Sequence, residues 1–161
     1  MTALPLVMTV HDVATSVLLA DCMAVMDVAF DPIFGEAWTA EQMRSMLDLP
    51  GTRLIAGRVG DVMVGFGLIR SIAGEAELLL LGVAPAARRC GYGRNILDRC
   101  IAIAEIDGAT TMFLEVREGN DAIALYRSAH FEQYSCRRDY YLGRDGERRS
   151  ALSFRRAIAA R

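Results

Sequence analysis

The sequence predicts an α/β fold in which helices cover a mixed β-sheet. Two observations predict this fold. The predicted elements follow the order α-α-β-β-β-α-β-α-β-β, and a helical segment joins two apolar strands, which therefore run parallel. The chain of 161 residues, 53% hydrophobic and 24% charged, has no repeat, linker or low-complexity tract. We therefore expect a single domain over residues 1–161.

The N-terminal half contains two helices and a strand meander. An Ala-, Met- and Val-rich segment predicts a helix over residues 13–30. Thr39-Ala-Glu-Gln42 is a capping box for a second helix that runs to about Leu47. The three strands of the meander are expected at residues 53–58, 62–70 and 78–83. The third is continuously apolar, which is typical of a buried strand.

The C-terminal half alternates helices and strands. Apolar residues at helical spacing predict a helix over residues 91–107, which Gly108 terminates. The remaining elements are expected as a strand at 110–117, a helix at 120–129 and a hairpin of strands 131–139 and 151–158.

A phosphate-binding loop is predicted where the 78–83 strand meets the next helix. The loop has the pattern Arg88-x-x-Gly91-x-Gly93. Unpaired backbone N–H groups at a helix start attract an anion, and glycine lets the backbone approach it closely. Arg88, Arg89 and Arg94 are expected to add mobile positive charge. The alternative is an ordinary turn with solvated arginines.

Composition excludes several classes of function. All 18 basic residues are arginine, so lysine general bases, Schiff-base chemistry and a Walker A loop are excluded. A dinucleotide fingerprint is excluded because Ile96 stands where a third small residue is required. The four cysteines form no Cys-x-x-Cys pair and there are two histidines, so no metal is expected. A net charge of −2 gives no reason to expect nucleic-acid binding.

The cellular location of the protein is predicted from its apolar segments and its N-terminus. Asp21 and Asp27 interrupt the apolar segment at residues 13–30, which is therefore not expected to span a membrane. The N-terminus lacks the basic-then-apolar order of a signal peptide. We expect a cytoplasmic protein, either a monomer or a homodimer.

Two residues downstream of the glycine pattern are candidates for proton transfer. Glu115 stands between Leu114 and Val116 in an apolar strand, where a carboxylate is costly unless it is paired or functional. It is a general base, the partner of a nearby arginine, or a residue at a solvated end of the sheet. Tyr126 lies on the following helix, where a tyrosine most often packs against the core.

These motifs together resemble the GCN5-related N-acetyltransferases (GNAT). The resemblance rests on the glycine pattern and on Asn120-x-x-Ile123-x-Leu125-Tyr126, within residues 78–141, about two fifths of the chain. It implies the GNAT fold with splayed central strands, acetyl-CoA as co-substrate, Glu115 as base and Tyr126 as acid. The spacing from Asn120 to Tyr126 is one residue shorter than in the family. The implied cofactor contacts are Leu81, Gly82, Val83, Arg88, Arg89, Cys90, Gly91, Tyr92, Gly93, Arg94 and Asn120.

The acceptor is suggested by the segment Cys136-Arg-Arg-Asp-Tyr-Tyr-Leu-Gly-Arg-Asp-Gly-Glu147. It resembles the ribosomal-protein alanine N-acetyltransferase (RimI-type) branch, which implies that Tyr140 and Tyr141 line a groove for a peptide N-terminus. Strand alternation allows at most one of them to touch the substrate. Trp38 is expected either in the groove wall or in the core.

The expected function is therefore acetyl transfer to a primary amine, chiefly the N-terminal α-amine of a protein. One alternative is a small-amine acetyltransferase with an acidic groove built from Asp31, Glu36 and Glu41. A second alternative is a CoA-binding module without catalysis.

Overall fold

A computed structural model describes residues 4–159 as a seven-stranded mixed sheet with strand order β1-β2-β3-β4-β5-β7-β6. The α/β class is confirmed. The strands are β1 (Leu6–His11), β2 (Thr52–Val59), β3 (Val62–Ile72), β4 (Glu75–Val83), β5 (Thr111–Arg117), β6 (Glu132–Leu142) and β7 (Arg148–Ala157). The α-helices are α1 (Ser16–Ala29), α2 (Ala40–Leu47), α3 (Tyr92–Ile106) and α4 (Ala122–Ser128). Short 3₁₀ helices lie at Pro32–Phe34 and Pro85–Ala87.

The expected element order omitted β1, and the structure corrects it. This strand pairs antiparallel with β2, from Leu6 opposite Val59 to His11 opposite Leu54. It is an edge strand that is partly exposed, so its sequence lacks the clean apolar alternation that predicts a strand. The first helix then begins at Ser16, because the Thr15 hydroxyl caps it by accepting from the Leu18 N–H at 3.1 Å.

The strand expected at 78–83 begins three residues earlier, at Glu75. The turn before it consists of Ala73 and Gly74, both at positive φ (50° and 82°). Such a two-residue turn matches the twist of a hairpin and lets pairing with β3 continue to Ile72 opposite Glu75. The sequence suggested a longer turn because Ala73 has no evident preference for this conformation.

Two hydrophobic cores lie on opposite faces of the sheet. One lies beneath α3 and α4, and the other beneath α1 and α2. Close packing of α3 depends on glycine, since a Cβ added at Gly67 on β3 would lie 2.5 Å from the Cys100 Sγ. The expected capping box on α2 is present, with Thr39 and Gln42 bonded reciprocally.

Strands β4 and β5 separate along their length, as the resemblance implied. Their parallel pairing covers the register from Glu75 opposite Thr111 to Glu77 opposite Phe113. Beyond that point β5 pairs only with β7, while β4 continues to Val83 beside β3. A bulge in β4 accompanies the separation, because Leu68 faces Leu80 while the adjacent Ile69 faces Leu78. The separation opens a cleft between the C-terminal ends of the two strands.

Candidate active site

The cleft between β4 and β5 has a volume of about 1430 Å³. It brings together most of the residues that the sequence singled out. Those that line it are Trp38, Leu81, Gly82, Val83, Arg88, Arg89, Gly91, Tyr92, Gly93, Arg94, Glu115, Asn120, Tyr126 and Tyr141. Cys90 and Tyr140, which the resemblance implied as a cofactor contact and an acceptor contact, are not among the residues that line it.

The glycine loop (residues 88–94) holds its backbone N–H groups open. Gly91 caps the start of α3 in the left-handed conformation at φ 79°, and Arg89 also has a positive φ of 61°. The first bond of the helix runs from the Asn95 N–H to the Gly91 carbonyl. Within residues 4–159, the N–H groups of residues 89–94 donate to no protein acceptor. The loop therefore has the arrangement that binds a phosphate at a helix N-terminus.

Two of the three loop arginines are held by the protein rather than mobile, contrary to expectation. Arg88 donates to the Val83 carbonyl at 3.2 Å and to the Ala29 carbonyl at 2.9 Å. These bonds join the loop to β4 and to the end of α1. Arg94 bonds to Asp98 at 2.9 Å and to the Ser128 carbonyl at 3.2 Å. Cys90 is exposed and its thiol donates weakly to the Arg88 carbonyl at 3.6 Å.

Glu115 lies on the face of β5 opposite the core of α3 and α4. Its neighbours Leu114 and Val116 are buried in that core, as expected from strand alternation. The Tyr141 hydroxyl donates to Glu115 Oε1 at 3.0 Å. The expected alternative partner, an arginine, is present as Arg137 with its Nε 3.8 Å from Oε2. That pair is long and exposed, so it contributes little, and the carboxylate keeps free acceptor sites.

Tyr126 is buried on the opposite wall, although its side chain still reaches the cleft. Its ring packs edge-on against Phe131 with centroids 6.0 Å apart. Burial, followed by the neighbouring Cys100 and Glu36, raises the pKa of the Tyr126 phenol above its usual range. The phenol is protonated at neutral pH, as a free tyrosine also is, and so carries a proton that it can donate.

Asn120, which the resemblance implies as a cofactor contact, also bonds to the start of α4. Its Oδ1 accepts from the Ala122 N–H at 2.8 Å, and α4 begins at Ala122 rather than at the expected residue 120. Asn120 also lines the cleft. At its other end α4 stops at Ser128, and His130, with a φ of 67°, forms a left-handed cap in which the Phe131 N–H bonds to the Tyr126 carbonyl.

The α1–α2 loop (residues 30–39) forms the third wall of the cleft and is fixed by arginines. Arg117, at the end of β5, donates from Nε to Glu36 Oε1 at 2.6 Å. Its guanidinium carbon also lies 3.5 Å from the centroid of the Phe34 ring. Arg149 of β7 lies against the same ring, at 4.9 Å. Sequence reasoning missed Arg117, Phe34 and Arg149, and it considered Glu36 only as part of an acidic groove. A charged residue at the end of an apolar strand was the available signal at Arg117.

Tyr141 and Tyr140 occupy different positions at the end of β6. Tyr141 lines the cleft and bonds to Glu115, and burial together with the Glu115 charge raises the pKa of its phenol. Tyr140 is half exposed, outside the cleft, with the Arg137 guanidinium carbon 5.1 Å from its ring centroid. Only one of the two therefore faces the cleft, as strand alternation predicted. Trp38 both packs against the α1–α2 core and lines the cleft.

Residues 4–159 contain neither a metal-ligand cluster nor a helix that could span a membrane. No group of three or more His, Cys, Asp or Glu side chains in this range is placed to hold a metal ion. No helix in the same range combines the length and apolar character needed to cross a bilayer.

The fold and the glycine loop are those of an acyltransferase. Comparison with known proteins assigns the chain to the same class. Residues 23–131 match the Acetyltransferase (GNAT) family. The chain belongs to this family.

Individual relatives narrow the comparison. The chain is 33% identical over 127 residues to the N-alpha-acetyltransferase RimI of Mycobacterium tuberculosis. The matched region covers 76% of this chain and 75% of the relative. It is 32% identical over 90 residues to the [ribosomal protein bS18]-alanine N-acetyltransferase of Haemophilus influenzae, covering 56% and 62% respectively. The match thus spans less than two thirds of the Haemophilus relative.

A solved structure extends the likeness to nearly the whole fold. The crystal structure of the ribosomal-protein-S18-alanine N-acetyltransferase from Escherichia coli superposes with a TM-score of 0.83 at 27% identity, covering 96% of each chain. The similarity in fold therefore includes β1 and the β6–β7 hairpin, which lie outside the family match.

Proposed function

We propose that this protein transfers the acetyl group of acetyl-CoA to the N-terminal α-amine of a protein. The observation that carries this proposal is the set of unpaired N–H groups of residues 89–94, which border the cleft that also contains Glu115 and Tyr126. Such a loop binds a diphosphate, and the two side chains supply a base and an acid. The names of the relatives support an N-terminal alanine, including that of ribosomal protein bS18, as the acceptor.

The thioester-bearing arm lies between β4 and β5 in this proposal. The backbone of residues 81–83 pairs with the amides of the arm, since β5 leaves this part of β4 unpaired. A backbone N–H near Leu81 or Val83 stabilises the oxyanion that develops on the thioester carbonyl. Arg88 and Arg94 shape the loop, while its amides bind the diphosphate.

Proton transfer involves one residue from each wall of the cleft. Glu115 takes a proton from the acceptor nitrogen, directly or through water, as that nitrogen bonds to the carbonyl carbon. Tyr126 donates its phenolic proton to sulfur as the carbon–sulfur bond breaks. The products are the acetylated amine and the CoA thiol, and the proton on Glu115 returns to Tyr126 through solvent. An α-amine, with a pKa of about 8, needs only a modest base.

The structure offers less support for a small polyamine as acceptor. Of the three acidic residues expected to form its groove, Asp31 caps the 3₁₀ helix by accepting from the Ile33 N–H at 3.0 Å. Glu36 is paired with Arg117, and Glu41 lies on a separate surface groove on α2. A polyamine carries several ammonium groups, and these three residues do not form the continuous acidic groove that would bind them.

We also propose that residues 1–161 act as one acetyltransferase domain. Strand β1 lies before the family match and β7 after it, and both belong to the same sheet as β4 and β5. A reaction on ribosomal proteins takes place in the cytoplasm, where we expect this protein to act.

Mass spectrometry of an acetylation assay tests the proposal. Acetyl-CoA is incubated with the protein and with peptide libraries that vary the first residue, in parallel with spermidine and an aminoglycoside. We expect one acetyl group on the α-amine of peptides that begin with alanine. Transfer to the small amines but to no peptide would refute the acceptor, and transfer to neither would refute the enzyme.

A further inference from the structure

The Arg117–Glu36 ion pair is not explained by the chemistry described above. Arg117 is the charged residue that the structure buries within residues 4–159, with 9% of its surface exposed. Charged side chains are almost never fully buried unless they are paired. Its partner Glu36 keeps 20% of its side chain exposed and lines the cleft. The pair therefore connects a buried cation to a carboxylate at the ligand surface.

The Arg117 guanidinium is held by contacts of three kinds. Its Nε donates to Glu36 Oε1 at 2.6 Å, its Nη1 donates to the Glu118 carbonyl at 3.1 Å, and its plane lies against Phe34. A guanidinium fixed in this way has little freedom to leave Glu36. Because Arg117 is two residues from Glu115, the two side chains share one face of β5. Arg117 therefore fixes the α1–α2 loop to the strand that carries the proposed base.

The β6–β7 hairpin holds the same loop from a second side. Arg149 lies against Phe34 and is itself paired with Asp145 at 2.6 Å. The Arg144 N–H donates to the Ile33 carbonyl at 2.8 Å. Strand β5 and the β6–β7 hairpin, both distant in sequence, therefore hold the loop that carries Glu36.

Glu36 retains an oxygen that can receive a ligand. Its Oε1 accepts from Arg117, whereas Oε2 bonds to no side chain or backbone group of residues 4–159. A carboxylate has about four acceptor sites, so one bond leaves it able to accept others. The Glu36 charge also acts on both tyrosines of the cleft. It raises the pKa of Tyr126 and of Tyr141, although burial and closer groups contribute more to each shift.

We propose that Glu36, positioned by Arg117, receives the N-terminal ammonium group of the acceptor and so determines acceptor specificity. The ammonium donates a hydrogen bond to Oε2 on entry, one proton then leaves it to solvent, and the neutral amine attacks while Glu115 takes the second proton. Arg117 is a positioning residue, since it acts through Glu36 and touches no reacting atom. This inference rests on the proposed function but can be tested separately from it.

A binding experiment tests the role of Glu36 without turnover. The probes are two hexapeptides of one sequence, one beginning with alanine and the other with lactate, which replaces the ammonium by a hydroxyl. Calorimetry with the CoA-loaded protein is expected to show at least tenfold tighter binding of the ammonium peptide. In Glu36→Gln this preference is expected to fall below threefold. If Glu36→Gln keeps the full preference, the proposal is wrong.

Kinetics separate recognition from chemistry. We expect Glu36→Gln to raise the KM for the peptide at least tenfold, with kcat and the KM for acetyl-CoA changed less than threefold. The matched control is Asp21→Asn, which breaks the Arg58–Asp21 ion pair, also 2.6 Å long and outside the cleft. An equal rise in KM in both variants would overturn the assignment.

Hydrogen exchange tests the positioning by Arg117 independently of any activity. In Arg117→Met, amides of residues 31–38 are expected to exchange at least tenfold faster, while those of α3 are unchanged. Arg58→Met is the matched control, with no change expected in residues 31–38. Should Arg117→Met not fold, Phe34→Leu removes the ring that both guanidinium groups contact. Unchanged exchange would overturn the positioning role, whereas failure to acetylate any peptide would refute only the proposed function.

Discussion

Two loops border the same cleft, and the protein fixes them in different ways. In the glycine loop, left-handed residues at Arg89 and Gly91 leave the N–H groups from 89 to 94 unpaired, and the loop's own Arg88 and Arg94 bond it to neighbouring carbonyls. The α1–α2 loop takes its position from side chains of distant strands, chiefly Arg117 and Arg149.

This difference matches the ligands that we assign to each loop. A diphosphate is the same in every catalytic cycle and is recognised by main-chain N–H groups that any sequence possesses. An acceptor has to be distinguished from other amines, which requires particular side chains at fixed positions. Variants that separate the two loops therefore test both assignments.

The largest effect, on kcat, is expected when the proposed proton donor Tyr126 is replaced; this residue lies on the same side of the sheet as the glycine loop. Tyr126→Phe should lower kcat by about 100-fold or more, because loss of a general acid typically costs that much. CoA affinity should change less than twofold, since the ring and its packing against Phe131 remain. Steady-state kinetics and calorimetry measure the two quantities. Tyr134→Phe, a half-exposed tyrosine outside the cleft, is the control, and unchanged kcat in Tyr126→Phe would remove the acid from the mechanism.

The next largest effect is expected at the glycine loop itself. Gly91→Val places a branched side chain at a left-handed residue beside the open amides and should weaken CoA binding by about 100-fold. Strain from this conformation should lower stability by about 1–2 kcal/mol. Gly74→Val is a matched control, because Gly74 has φ 82° and, like Gly91, nothing lies within 4 Å of an added Cβ. Equal CoA affinities of the two variants in calorimetry would contradict anion binding by the loop.

A smaller effect is expected on the acceptor side. Tyr141→Phe removes the hydroxyl that orients the proposed base Glu115 and should lower kcat/KM for a peptide by about tenfold, the equivalent of one hydrogen bond to a charged group. Tyr140→Phe should change kcat/KM by less than twofold, since Tyr140 lies outside the cleft. Peptide titrations at saturating acetyl-CoA distinguish the two. A larger effect at Tyr140 would show that the acceptor follows the other face of β6.

The last prediction concerns the two hydrophobic cores, each of which contains a buried cysteine. Burial raises the pKa of Cys100, beneath α3, and of Cys22, on α1, from 9.0 to about 12. Above pH 9 the unfolded chain loses these protons while the folded protein keeps them. Stability should therefore fall as the pH rises from 9 towards 12, by at most about 1.4 kcal/mol per pH unit for each thiol.

Denaturant unfolding between pH 8 and 11 measures this slope. Cys22→Ala and Cys100→Ala should each make it shallower, and exposed Cys136→Ala serves as the control. A slope that neither replacement alters would mean that these thiols ionise alike in both states.

Local patterns in the sequence predicted much of the fold and one side of the site. The capping box at Thr39 and the glycine pattern up to Gly93 were found because each is a short-range signal with a fixed spacing. Edge strand β1 was missed because its partial exposure removes the apolar alternation. The bonds that immobilise Arg88 and Arg94 were also missed, because their acceptors at Ala29 and Ser128 are remote in sequence.

The sequence by itself determined the α/β class, the glycine loop and the presence of Glu115 and Tyr126 on consecutive elements. Each of these depends on helical periodicity, capping residues or glycine positions, which are signals within a few residues of chain. Only the tertiary structure decided which tyrosine of the pair faces the cleft and that Glu36 lies beside it. The physical reason is that Arg117 meets Glu36 across 81 positions of chain, a contact that depends on how the sheet twists and separates. No local pattern encodes that distance.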